Sequence, residues 1–137
     1  YNGNIMTNTG SSNNGTSYGN TYTTNDIIGI AVDLDNNKLY FSKNGTWQNS
    51  GDPTSGSTGT GAVSIAAASS TDLGAYFFGV DAYHYTPQYN FSANFGNGYF
   101  GTTAVSSAGT NASNIGIFEY DVPTGYTALS TKGLNSF

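Results

Sequence analysis

Residues 26–47, DIIGIAVDLDNNKLYFSKNGTW, decide the fold. Ile28, Ile30 and Val32 alternate with Gly29, Ala31 and Asp33, the period of a strand with one face buried. Asp35, Asn36 and Asn37 tolerate the positive φ of a hairpin turn. Leu39 and Phe41 resume the alternation, with Tyr40 on the other face. Asn44-Gly45 is the strongest short-range turn signal, and Trp47 follows it, expected to lie partly buried against the sheet. The pattern predicts an antiparallel hairpin over 27–33 and 38–42, with Ile28, Ile30, Val32, Leu39 and Phe41 buried. Such burial makes Phe41→Ala cost about 3–5 kcal/mol.

Working outward, the chain is punctuated by turns. Residues 1–20 are mostly Asn, Gly, Thr, Ser and Tyr, which predicts a loop or a weak edge hairpin. Residues 48–61 form a loop rich in Gly, Ser, Thr and Pro. Residues 62–68 are a strand or one turn of helix, with strand preferred. Residues 74–80 (GAYFFGV) and 88–95 (QYNFSANF) read as strands, the second with Tyr89, Phe91 and Phe95 on one side. Residues 101–116 are a small-residue loop, and 123–129 are a turn and a final short strand. Many short strands between turn signals predict an all-β, antiparallel sandwich without long helices.

Composition excludes several functions. The 137 residues suffice for one domain, and only 8% are charged, with a net charge of −5. Lys38, Lys43 and Lys132 are the whole cationic complement. They cannot neutralise a phosphate backbone, so no nucleic acid is expected as a partner. An anionic membrane surface is disfavoured likewise, and no apolar run is long enough to insert in a bilayer. The chain has no cysteine, which rules out disulfides, thiolate metal sites and a cysteine nucleophile and leaves the redox compartment open. Its 15% aromatic content argues against disorder. Neutral, turn-rich β proteins of this kind are common on virions and outside cells.

Three residue groups invite a chemical reading. Asp33, Asp35 and Asn37 imitate the start of a calcium loop, but its sixth position needs Gly and its twelfth Glu, and Lys38 and Asn44 stand there. A hairpin turn is the better reading, and no metal or other cofactor is expected. His84 is the only histidine, with no nucleophile elbow and no cysteine to complete a zinc set. Glu119 and Asp121 would share a strand face, as glycosidase carboxylates do, but they precede the Pro123 turn, where acidic residues are ordinary. No catalytic residues are assigned. Tyr83, His84, Tyr85, Tyr89 and Tyr99, in or near loops, are the candidate ligand contacts, because tyrosine joins apolar area to a polar tip. Sequons at Asn14, Asn44, Asn90 and Asn111 are close to chance in so Asn- and Thr-rich a chain.

The hairpin also resembles a family. DIIGIAVDLDNNKLYFSKNGTW is similar to the central hairpin of SPRY domains, a D-V-I-G-x-x-x-D-x-D strand, a turn, and a strand ending F-x-K-N-G. YNFSANFGNGYF (89–100) and FEYDVPTGYTALSTKGLN (118–135) resemble the ending of SPRY domains in tailed-phage proteins. That ending is N-F-G, an aromatic segment, then P-x-G-[YF]-x-A-L-[NSC]-T-x-N-L. Here it is matched by Asn94, Phe95 and Gly96, then by Pro123, Gly125, Tyr126, Ala128, Leu129, Thr131 and Leu134. Gly133 departs from it, as does a long insert from Gly101 to Asn114. The resemblance covers residues 18–137 and rests on turns and core aromatics.

The resemblance implies a SPRY, concanavalin A-like sandwich and a binding module rather than an enzyme. Residues 1–26 resemble the segment just before the family's central hairpin. Residues 1–137 are then expected to be the C-terminal portion of one domain, without its N-terminal strands. Tyr76, Phe78, Val80, Phe91 and Phe95 would need a facing layer, from earlier residues or from strand complementation by another chain. The implied setting is a virion surface protein such as a tail fibre or head decoration, homo-oligomeric within its assembly. Its partners would be other virion proteins, a host-surface protein or a glycan. The alternatives are a lectin-like carbohydrate-binding module, extracellular or on a cell surface, and, less favoured, a lectin-fold hydrolase using Glu119 and an Asp.

Overall fold

The computed structural model describes residues 2–6, 15–80 and 90–130. It divides into two compact units, Tyr1–Ala66 and Ala67–Phe137. The strands are antiparallel, and the described residues contain no α-helix, only short 3-10 turns.

In the first unit, β1 (Asn4–Ile5) and β2 (Thr16–Ser17) pair antiparallel, which realises the weak hairpin of the two expectations for residues 1–20. The central hairpin is β3 (Ile28–Asp33) and β4 (Lys38–Lys43), in the register Ile30 opposite Phe41 and Ala31 opposite Tyr40. Its turn is made as the residues suggest. The two oxygens of Asp33 accept from the backbone N–H and the side-chain amide of Asn36, and Asn37 takes φ 56°. The second turn has φ 48° at Asn44 and 79° at Gly45, both in the left-handed region that this pair tolerates. β5 (Thr46–Trp47) and β6 (Val63–Ser64) pair with opposite ends of β4 on its other side. Residues 62–68 therefore contribute a strand of two residues, followed by a 3-10 turn at Ala68–Ser70.

The hairpin buries the opposite face from the one expected. Tyr40 is fully enclosed and Ala31 and Ser42 are buried, while Ile28 and Ile30 are 42% and 44% exposed. Val32, Leu39 and Phe41 are half-buried. The cause is the return of residues 48–61 across Tyr40. Its hydroxyl shares a 3.3 Å hydrogen bond with the Ser55 hydroxyl, and its ring meets Trp47 edge-on with centroids 6.4 Å apart. Small residues at 29, 31 and 42 leave room for that segment. On the other face Tyr18 packs edge-on against Phe41, at 5.8 Å. Alternation distinguishes two faces, but the covering element decides which is the core.

The open end of the hairpin is closed by a clasp. Asp26 accepts from the Thr23 N–H at 2.8 Å and the Asn44 amide at 2.6 Å, and pairs with Lys43 at 3.0 Å. The Asn44 carbonyl oxygen accepts from the Ile27 N–H, and Lys43 also donates to the Thr21 carbonyl. These bonds, the Thr23 N–H foremost, hold the Asp26 carboxyl below the usual range.

In the second unit, β7 (Tyr99–Phe100) and β8 (Thr103–Ala104) make a short hairpin whose second strand lies inside the stretch expected to be a loop. The expected strands at 74–80 and 123–129 do not form, nor do the described residues 90–95 of the third. Phe77, Val80 and Phe91 are 76%, 67% and 54% exposed. A strand needs a neighbour to complete its ladder, and among the described residues these segments enter no sheet. Phe78 and Phe95 meet each other instead, centroids 6.4 Å apart. At 123–126 only the turn is realised, the Tyr126 N–H donating to the Pro123 carbonyl.

This unit is held by side chains bonded to backbone. The Asn94 carbonyl oxygen accepts from the Gly96 N–H at 2.7 Å while its amide donates to the Ile117 carbonyl at 3.0 Å. Ile117 N–H in turn donates to the Gly96 carbonyl. Gly96 and Gly116 pack so closely against buried Ala128 that a Cβ on Gly116 would lie 2.8 Å from that of Ala128.

Candidate functional site

The first unit carries an open cleft of about 380 Å³, with residues 17–20 along one wall and 46–50 along the other. Its shape follows from β5 and the turn after it. Gln48–Ser50 is a 3-10 turn in which Asn49 and Ser50 take φ 54° and 53°. Two successive non-glycine residues in the left-handed region are costly, and such strain persists only where the surroundings enforce it. The enforcing contacts are visible. Buried Gln48 forms the floor, its carbonyl oxygen accepting from the Asn20 N–H at 2.8 Å and its amide donating to the Thr46 carbonyl at 2.8 Å. The Gly61 carbonyl accepts from the Tyr18 hydroxyl at 2.9 Å and from the Asn49 amide at 3.4 Å. Gly61 itself has φ 66°, and a Cβ there would fall 2.4 Å from the Asn49 carbonyl oxygen.

The cleft is electrically neutral. Its walls are mostly polar, with amides and hydroxyls from Asn, Gln, Ser and Thr, while the Tyr18 ring packs on Phe41 and the Trp47 ring on Tyr40. Burial pushes the Tyr18 hydroxyl above its usual pKa, so it stays protonated at neutral pH. Such a lining supplies hydrogen bonds and, among the described residues, no group set to take a proton or attack a bond.

Of the tyrosine-loop candidates, Tyr99 lies in β7, about half exposed. Tyr83, His84, Tyr85 and Tyr89 fall outside the described residues. Glu119 and Asp121 are each engaged by neighbouring loop groups. Glu119 accepts from both the hydroxyl and the N–H of Ser106, and Asp121 accepts from the Thr110 N–H at 2.6 Å. These bonds hold both carboxyls below the usual range, whereas a general acid needs a raised pKa.

Sequence reasoning missed the cleft because its walls are distant in the chain. Trp47 was visible as the sole tryptophan, but residues 18–20 read only as loop. Their meeting with Gln48 depends on the chain's return along β5. Comparisons with known protein families, characterised proteins and solved structures find no match to this chain.

Proposed function

We propose that this chain is a non-catalytic recognition module of a phage virion surface protein, built as a SPRY-like antiparallel sandwich. The neutral, polar cleft carries the reading as a binding module. Its walls are fixed by Gln48 and Gly61 before any ligand arrives, which suits recognition because little order remains to be imposed on binding.

Two further observations support the architecture. The D and K-N elements of the hairpin motif meet in the Asp26–Lys43–Asn44 clasp, and the N-F-G and A-L elements meet where Gly96 packs against Ala128. The motifs thus do mechanical work in closing the fold. The half-exposed stripe of Ile28, Ile30, Val32, Leu39 and Phe41 is the surface that a second sheet of a sandwich would cover. An open cleft with few anchors binds weakly, and repetition of the chain in a symmetric assembly turns weak sites into firm attachment.

The test is retention of the labelled protein on bacterial cells together with immunogold labelling of particles that encode it. The expected result is label on the particle surface and saturable retention that falls at least fivefold in Asn20→Ala. Unlabelled particles would sink the virion assignment, and retention indifferent to Asn20→Ala would sink the cleft.

A further inference from the structure

We infer that the free edge of β3 pairs antiparallel with the same edge of a second copy of this chain, about a twofold axis through Ile30. The step concerns the backbone at the edge of the hairpin and stands apart from the cleft and from the virion reading.

The ladder shows which backbone groups are available. The Asn44 N–H donates to the Ile27 carbonyl at 2.8 Å, which marks Ile27 and Asn44 as a hydrogen-bonded pair. Such pairs alternate along an antiparallel ladder, so Gly29, Ala31 and Asp33 bond to Ser42, Tyr40 and Lys38 of β4. The far side of β4 agrees. The Ile65 N–H donates to the Asn37 carbonyl, which turns Leu39 toward β6 and Tyr40 toward β3. Ile28, Ile30 and Val32 therefore point their N–H and C=O groups away from β4. Among the described residues no strand meets them there. Their side chains share the apolar stripe, with Ile28 and Ile30 exposed.

Folded proteins blunt such edges with short strands, bulges, proline or charge. The other strands on β4 obey this, since β5 and β6 have two residues each. β3 has six, its ladder has no bulge, and residues 28–32 hold neither proline nor a charged side chain. A row of unpaired N–H and C=O groups is completed by another extended strand.

Register and charge suit a second copy. Two β3 strands with Ile30 opposite Ile30 place Ile28 opposite Val32 at both ends. Every outward-pointing residue then meets another, and each pair exchanges two backbone bonds. A slip of one residue would set outward groups against inward ones, and a slip of two would leave Ile28 or Val32 without a strand partner. The same pairing keeps Ile and Val on one face and sets Gly29 opposite Ala31 on the other. Asp33 falls opposite Ile27 and Asp26 opposite Leu34, so no carboxylates are brought together in a chain of net charge −5.

The test follows the 137-residue protein by sedimentation velocity and amide exchange over a range of concentrations. A reversible dimer is expected. The amides of Ile28, Ile30 and Val32 should exchange freely in dilute protein and slow at least tenfold on concentration, while Ala31 stays protected throughout. Ile30→Lys sets like charges together on the axis and should weaken dimerisation at least tenfold with the circular dichroism spectrum unchanged. The chain has no cysteine, so one introduced thiol reports the register. Ile30→Cys should give a disulfide-linked dimer on mild oxidation, since paired Cα atoms lie about 5.5 Å apart, inside the ~4.4–6.8 Å that a disulfide spans. Ile28→Cys should not, because its two copies would stand roughly 13 Å apart along the strands. Equal linkage at the two positions, or dimerisation indifferent to Ile30→Lys, would overturn the inference. So would edge amides protected already in the dilute monomer, which would mean that the chain covers its own edge. A monomer at every concentration would leave the edge to a foreign strand and equally sink the pairing.

Discussion

Tyr40 and Phe77 both sit in stretches that alternate or cluster like strands, yet Tyr40 is fully enclosed and Phe77 is 76% exposed. The first unit supplies Tyr40 with ladders on both sides of β4 and a covering segment at 48–61. The second unit gives residues 74–80 no sheet to join among the described residues. Aromatic residues favour strands only through the neighbours they pack on. The first unit is therefore organised by backbone pairing and one enclosed ring. The second is organised by Asn94, Asn111, Glu119 and Asp121, whose side chains tie backbone segments together.

The comparison breaks most directly at the hairpin. Tyr40→Ala should cost about 3–5 kcal/mol, because it empties an enclosed site between the sheet and the 48–61 segment. Phe41→Ala, on the half-covered face, should cost about 1–3 kcal/mol. Urea unfolding followed by Trp47 emission measures both, and equal costs would mean that the two faces are buried alike. In the second unit, Gly96→Ala should cost about 1–3 kcal/mol, since φ is 104° and the new Cβ lies 2.9 Å from the Gly116 Cα. Its signature is faster amide exchange at Ile117 with Tyr40 unaffected. Asn94→Ala removes two good hydrogen bonds and should cost about 1–2 kcal/mol, read from the same amide.

The smallest effect is on pH. Glu119 and Asp121 have folded pKa values below their unfolded ones, so their contribution is fully present above the ordinary carboxylate range near 4. It is lost as pH falls from there through the lowered folded values. Thermal melts between about pH 5 and 2 should show a falling Tm, to which Asp26 and Asp52 of the first unit contribute with the same sign. Glu119→Gln should flatten that slope while leaving stability at pH 7 only slightly reduced. A slope unchanged by the substitution would mean that the Ser106 bonds contribute nothing to holding the loop.

The hairpin and both turns were legible because they depend on residues close in sequence. Asp35 to Asn37 and Asn44-Gly45 leave the backbone few choices. The choice of buried face was not legible, since it depends on where residues 48–61 return, and a loop rich in Gly, Ser and Thr gives no signal of direction. The strand expected at 74–80, and the described residues 90–95 of the one expected at 88–95, failed for the same kind of reason, a missing neighbour. The cleft was hidden because Gln48 reads as an ordinary polar residue until its amide is seen joining two walls. Tyr99, read as a ligand contact in or near a loop, stands in β7 and is about half exposed.

The Asn44-Gly45 turn has a consequence for how the protein ages. An unhindered glycine nitrogen attacks the preceding asparagine side-chain carbon, expels ammonia and leaves a succinimide that water opens to aspartate or isoaspartate. At Asn44 the carboxamide is held at both ends, by the Ile27 N–H and by Asp26. It cannot turn toward Gly45 without releasing both. Deamidation there is therefore gated by fraying of the hairpin's open end. The product would set a new carboxylate beside Asp26, with Lys43 left to face both, so each such event would loosen the end that had protected it.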